Sequence, residues 1–175
     1  MQIHDKNFEI FITADEIQST IKKLAGLINL DYSDKELVLV IILKGAFIFA
    51  ADLVRSLNFQ SQIELLSAKS YGKEITSSGN VEISLPNLNI KGKHVLIIED
   101  IVDTGLTLSS VKSALNKFGP LSIEITTLIS KPAMRKIEID VKYIGIEIPP
   151  VFIVGFGLDY AEHGRNLPDI YAITS

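Results

Sequence analysis

The segment VLIIEDIVDTGLTL, residues 95–108, gathers three acids and two threonines around one turn. An apolar strand runs into Glu99 and Asp100, two apolar residues follow, and Asp103-Thr104-Gly105-Leu106-Thr107 opens a helix. Small and hydroxyl residues at a helix start leave backbone N–H groups available, and the positive end of the helix dipole adds to them. A terminal phosphate would fit there. Glu99 and Asp100 leave the strand on opposite faces and are not expected to grip the same atom. Two such acids suit a ribose diol, a hydrated Mg²⁺, or one of each. The plain alternative is that Asp103 caps the helix and the other two acids are solvated. Against it, acids crowded beside an anion site raise one another's cost unless a metal or hydroxyls neutralise them. Lys44, Lys131 and Phe152 each have a plain alternative too: a lysine snorkelling out of the core, a surface lysine, and a core ring beside Pro149-Pro150.

These residues need elements to hold them. Thr13 can cap a first helix, with Glu16 three residues on as its capping-box partner and Ile17, Ile21, Leu24, Ala25 and Ile28 on one face. LVLVIIL, residues 37–43, has no alternation and suits a strand buried on both sides, ended by Lys44 and Gly45. Residues 46–57 read as a helix apolar over most of its circumference, packed deep. QIELLSAKS is a second strand. Residues 71–81, YGKEITSSGNV, are polar and rich in Ser and Gly, and read as a mobile loop. His94 to Ile98 is a third strand, and residues 107–118 form a helix stopped by Gly119-Pro120. Two further strands, IEITTLIS and VKYIGIEI, precede Pro149-Pro150 and a short tail with glycines at 155, 157 and 164. This βα rhythm gives an α/β fold with a central, mostly parallel sheet flanked by helices and a small irregular appendage. In such sheets ligands bind outside the carboxyl ends of the strands, where the polar residues above fall.

Composition narrows the partners. The 175 residues carry 21 acids against 17 bases, a net charge of -4, so no basic field is available for a long nucleic acid. Phosphate must therefore be met locally. Cys is absent, which excludes disulfides and thiolate metal sites, and His4, His94 and His163 lack metal-ligand spacing. The N-terminal MQIHDKNFEIF has no apolar signal core, and the longest apolar run, Leu37 to Leu43, is far short of the roughly 20 residues a membrane span needs. A cytoplasmic protein with no membrane partner is expected.

The string EDIVDTGLT resembles the phosphoribosyl-diphosphate-binding signature of the type I phosphoribosyltransferases. Leu43-Lys44-Gly45, Ser70-Tyr71-Gly72 with SSGNV, Lys131-Pro132 and FIVGFGLDYAEHGRNLP from Phe152 to Pro168 resemble, in the same order, the hypoxanthine-guanine branch. The resemblance implies one phosphoribosyltransferase domain over residues 1–175, with a hood formed by the N-terminal segment and about 150–175. It implies transfer of the phosphoribosyl group of 5-phosphoribosyl 1-diphosphate to a 6-oxopurine in purine salvage, with Mg²⁺. Backbone groups of Asp103, Thr104, Gly105, Leu106 and Thr107 would hold the 5′-phosphate. Glu99 and Asp100 would meet the ribose hydroxyls directly or through metal-bound water. Asp103 would be the general base for the purine N7 proton. Lys44 and Gly45 would bind diphosphate, across a cis Leu43-Lys44 peptide, and Arg165 would grip it with a bidentate fork.

On the base side, Lys131 would donate to the purine O6, Phe152 would stack on the ring, and backbone near Ile153 would read its edge. Asp159 would stand near both base and Mg²⁺, making Glu99, Asp100 and Asp159 the implied metal ligands. Ser70 and Tyr71 would belong to a lid that excludes water. Gly164 stands where the family has an aromatic and Phe156 where it has Tyr. Gly164 is expected to loosen the positioning of Arg165. A homodimer or homotetramer is implied.

Other readings compete. A nucleotide-hydrolysing enzyme fails for want of G-x-x-x-x-G-K-[ST], and Gly155-Phe156-Gly157 does not make a dinucleotide motif. A nucleotide-sensing, nucleic-acid-binding regulator of the same fold is opposed by the acidic balance, since each nucleic-acid phosphate contacted needs a cation. A phosphoribosyltransferase for adenine, orotate or uracil is weakened by Lys131 and the 152–165 tail, while xanthine stands beside hypoxanthine and guanine as an alternative base.

Overall fold

The computed structural model describes residues 1–70, 81–84 and 88–174, and of residues 69, 70 and 81–84 the backbone alone. In chain order the elements are β1 (Gln2–Ile3), β2 (Lys6–Ile12), α1 (Ala14–Tyr32), β3 (Leu37–Leu43), α2 (Phe47–Arg55), β4 (Gln62–Ser70), β5 (Val81–Ser84), β6 (His94–Val102), α3 (Leu106–Asn116), β7 (Ser122–Ser130), β8 (Tyr143–Glu147), β9 (Ile153–Val154) and β10 (Ile170–Ile173). A single 3-10 turn, Pro132–Met134, follows β7.

The central sheet runs β5-β4-β3-β6-β7-β8, parallel throughout except for β5, which pairs antiparallel on β4. β3 shows why the sequence folds this way. Its alternate residues separate into two cores: Leu37, Leu39 and Ile41 pack with α1 and α2, while Val38, Val40 and Ile42 pack with Leu108, Val111 and Leu115 of α3. A strand wetted on neither face has no polar position to alternate with. The α1 start carries the expected capping box: Glu16 N donates to Thr13 Oγ1, and Thr13 N donates to Glu16 Oε2 at 2.9 Å.

Several expectations are corrected. α2 spans Phe47–Arg55 rather than 46–57 and is less enclosed than its composition suggests, with Phe47 46% exposed. β6 continues to Val102, so Glu99 and Asp100 lie within the strand rather than beyond it. Val81, read as loop, begins β5. Tyr71 lies outside the described residues, and Ser70 is described only as the last backbone position of β4.

The terminal segments are not irregular. They build a four-stranded sheet, β1-β2-β10-β9, in which Ile12, Ile10, Glu9 and Phe8 of β2 meet Ile170, Tyr171, Ala172 and Ile173 of β10. This hood shares its core with the main sheet, because Ile12, Ile153, Phe156, Leu158 and Ile170 belong to the same cluster as Ile17, Leu39 and Phe49. Among the described residues no helix is long and apolar enough to cross a membrane.

Candidate active site

A cleft of about 1050 Å³ opens between the carboxyl ends of β3, β6 and β7 and the hood. Its walls include Lys44, Gly45, Glu99, Asp100, Asp103, Thr107, Lys131, Phe152, Ile153, Asp159 and Arg165. Residues scattered over more than a hundred positions thus converge. Thr104, Gly105 and Leu106 lie in the turn between two of them.

The floor is built by close approach. The Leu43-Lys44 peptide is cis, as the resemblance implies. At Gly45 an added Cβ would stand 1.9 Å from Asp100 Oδ2, and at Gly157 one would stand 2.1 Å from Gly45 O. The turn is therefore wedged between β6 and the hood with no room for a side chain.

Asp100 lies directly beneath it, with Glu99 the preceding residue of β6. Burial, and after it the neighbouring Asp100 charge, pushes the Glu99 carboxyl well above its usual range. Burial likewise raises Asp100, against hydrogen bonds from backbone N–H groups and the Arg165 charge. Glu99 Oε2 is sealed from solvent and has no hydrogen-bond partner among the described residues.

The anion turn comes next along the chain. α3 begins at Leu106, and its N-cap is Gly105, with φ +84° and no side-chain cap, so the expected alternative role of Asp103 as a helix cap is absent. Leu106 N donates to Thr104 Oγ1 at 3.4 Å, and the next amides of the first turn have no intrahelical acceptor and are left for another one. Asp103 Oδ1 is buried and has no partner among the described residues. Lys131 follows β7, is 7% exposed, and its N–H donates to Val102 O at 2.9 Å. Burial holds its ammonium below the usual lysine range, and the Asp103 charge works in the other direction. Lys131 is thus no surface lysine. Phe152 is no core ring either: it is 45% exposed on the cleft, its centroid 5.8 Å from Tyr160 and 6.3 Å from Phe8.

Arg165 sits opposite. Its guanidinium donates to Gly157 O at 2.9 Å and pairs with Asp159 Oδ1 at 2.8 Å, so it is fixed from two sides. Gly164 does not loosen it: the residue takes φ +93°, and a Cβ there would meet Val154 Cγ2 at 2.4 Å. The glycine is what the hood geometry requires, and the packing supplies the rigidity.

Residues 13–161 match the family model described as a phosphoribosyl transferase domain. This chain belongs to that family. The hypoxanthine phosphoribosyltransferase of Haemophilus influenzae is 42% identical over 163 residues, 91% of each chain. The hypoxanthine-guanine phosphoribosyltransferase of Dictyostelium discoideum is 47% identical over 165 residues, 91% of this chain and 92% of its own. Among solved structures, a hypoxanthine phosphoribosyltransferase from Staphylococcus aureus superposes with a TM-score of 0.90 at 41% identity, covering 95% of this chain and 91% of that one. The fold is the type I phosphoribosyltransferase fold.

Two residues of this family member have roles that its motifs do not announce. Arg135 donates to the carbonyl oxygens of Val102 and Asp103 and to Ser130 Oγ at 3.0 Å, and the next two amides, Lys136 and Ile137, donate to Thr104 O. The 135–137 segment thus clamps the anion turn from behind. Glu162 lines the cleft and pairs with Lys44 at 3.0 Å. Arg135 stands outside the quoted motifs, and Glu162, though inside the 152–168 segment, has no role assigned to it there. Only the short spacing of Arg135 from Lys131-Pro132, and of Glu162 from Arg165, marks them.

Proposed function

We propose that this protein is a Mg²⁺-dependent glycosyltransferase of purine salvage. It transfers the phosphoribosyl group of 5-phosphoribosyl 1-diphosphate to hypoxanthine or guanine, giving IMP or GMP and diphosphate. The observation that carries this reading is the unpartnered Asp103 carboxylate beside a buried lysine, Lys131, within one cleft. A 6-oxopurine answers both groups at once: its O6 accepts from Lys131 while its N7 proton goes to Asp103. The purine N9 then bonds to C1 of the ribose as the C1–O bond to diphosphate breaks. Adenine presents a donor where Lys131 needs an acceptor, which leaves a buried ammonium without its bond.

The remaining residues bind and orient. The turn from Asp103 to Thr107 holds the 5′-phosphate at the start of α3. Lys44, with the Gly45 backbone, and Arg165 take the diphosphate. Phe152 covers the purine ring, Ile153 reads its edge through the backbone, and Ser70 and Tyr71 belong to the lid.

Glu99 and Asp100 fit Mg²⁺. They are hard oxygen donors with one oxygen unsatisfied, and this ion commonly takes one or two carboxylates and completes its shell with water and substrate oxygens. Glu99 and Asp100 would hold the ion, which when bound would neutralise the diphosphate and favour its departure; Asp159, the third ligand the resemblance implies, is engaged by Arg165 and Glu162 N, and among the described residues it forms no three-acid cluster with them.

The whole chain acts as one domain with its hood, in the cytoplasm, as a homodimer or homotetramer. Exposed Phe47 on α2 and Ile63 and Leu65 on β4 offer apolar area for a subunit contact. The test is one mixture of protein, Mg²⁺ and phosphoribosyl diphosphate with hypoxanthine, guanine, xanthine or adenine, followed by product identification. IMP and GMP are expected as the main products. Adenine as the best substrate, or no nucleotide from any base, overturns the proposal.

A further inference from the structure

Glu162 stands at the tip of a turn in the hood and reaches two cations at once. One of its carboxylate oxygens, Oε2, meets Lys44 Nζ at 3.0 Å and Arg165 Nη2 at 3.4 Å. The two cations come from opposite sides of the cleft, one from the β3–α2 turn and one from the hood. They are also the two side-chain cations that take the diphosphate in the proposed reaction, and the role of Glu162 rests on that assignment. A single carboxylate bridging them is an internal anion in the substrate's place.

The turn is held in a costly conformation. Ala161 and Glu162 take φ +51° and +67°, the left-handed region that side-chain-bearing residues avoid. The strain is contained by Tyr160 and His163, whose N–H groups donate reciprocally to each other's carbonyl oxygens at 3.0 and 3.1 Å. Tyr160 also donates its hydroxyl to Asp5 Oδ1 at 2.7 Å, and the His163 ring lies 4.4 Å from His4. Glu162 N donates to Asp159 Oδ2 at 2.8 Å, and the other oxygen of Asp159 accepts from Arg165. The β1–β2 hairpin, the turn and the cation are thus tied together, and the outcome is the position of one carboxylate.

We propose that Glu162 is a resident competitor for the diphosphate: it holds Lys44 and Arg165 together in the free protein, yields them to the substrate, and returns to them as diphosphate leaves. The side chains of Glu162 and Lys44 are 64% and 67% exposed, so the carboxylate can be displaced into water without a large desolvation cost. A diphosphate carries more charge and more acceptor oxygens than one carboxylate and wins the exchange. Its net affinity is lowered by the two pairs it must break, which limits product inhibition.

Calorimetric titration of inorganic diphosphate with Mg²⁺ into the wild-type protein and Glu162→Gln tests this. The variant is expected to bind diphosphate roughly 3- to 10-fold more tightly, a factor of a few for each exposed pair removed, with the inhibition constant of diphosphate falling in step. The difference should narrow as ionic strength rises, which a merely structural role would not produce. A dissociation constant unchanged or raised in the variant, or a difference that salt leaves untouched, overturns the inference. If Glu162→Gln does not fold, Glu162→Gly, which suits φ +67°, is judged by the same criteria. A wild-type protein that neither binds diphosphate nor forms nucleotide defeats the assignment of Lys44 and Arg165 instead.

Discussion

Asp103 owes its chemistry to what it lacks. A carboxylate oxygen buried without a partner is costly unless a ligand completes it, and Lys131 across the cleft supplies charge without satisfying that oxygen. Asp103→Asn keeps shape and volume and breaks no side-chain hydrogen bond among the described residues, so it should leave folding and phosphoribosyl diphosphate binding intact. Turnover should fall roughly 10²-fold or more, the usual contribution of a positioned base. Steady-state kinetics alongside equilibrium binding checks this, and unchanged kcat removes Asp103 from the role. Residues of this kind were legible from sequence because their neighbours along the chain supply their setting: a strand, two acids and a helix start lie within fourteen positions. Glu162 was not legible, since its partner Lys44 lies 118 positions away and one exposed glutamate carries no local signal.

The anion turn depends on a segment outside the signature. Arg135 satisfies two carbonyl oxygens of the turn and a hydroxyl at the end of β7, so one planar guanidinium sets the register between β6 and β7 where the phosphate would lie. Arg135→Ala should raise the KM for phosphoribosyl diphosphate by about 10-fold or more, the equivalent of one or two charge-assisted hydrogen bonds. Arg135→Lys should restore little of it, because a point charge cannot serve three acceptors in a fork. A KM within twofold of wild type in both variants would show that the turn holds its own shape. The parallel strands and their helices were readable because burial on both faces leaves continuous apolar runs. The hood strands were not, since β9 has two residues, β2 exposes Ile10 and Phe11, and β2 finds its partner, β10, at the far end of the chain.

At the scale of the molecule, stability and function occupy opposite ends of the sheet. Away from the cleft, Asp31 at the end of α1 accepts from Tyr143 at 2.6 Å and from Lys142 at 2.8 Å, tying the helix to β8. Lys142, and after it the Tyr143 hydroxyl, hold the Asp31 carboxyl below its usual range. A depressed carboxyl contributes stability that is present above its unfolded pKa and lost as pH falls through the folded value. Asp31→Asn should therefore melt below wild type near neutral pH, with the two curves converging as the pH falls below the usual carboxylate range. A difference in melting temperature constant across that range would show that the tie is not ionic. At the other end, Phe8, Glu9, Ile10 and Ile12 pair with Ile170–Ile173, and every strand of the central sheet lies between the two segments in sequence. A chain emerging from the ribosome can close β3 to β8 while the hood still lacks its third strand. Phe152 and Arg165 then have no fixed place, however well the signature turn is formed. Synthesis itself therefore works as a safety catch: the nascent protein cannot hold a base until Ile170 and the residues after it have cleared the tunnel.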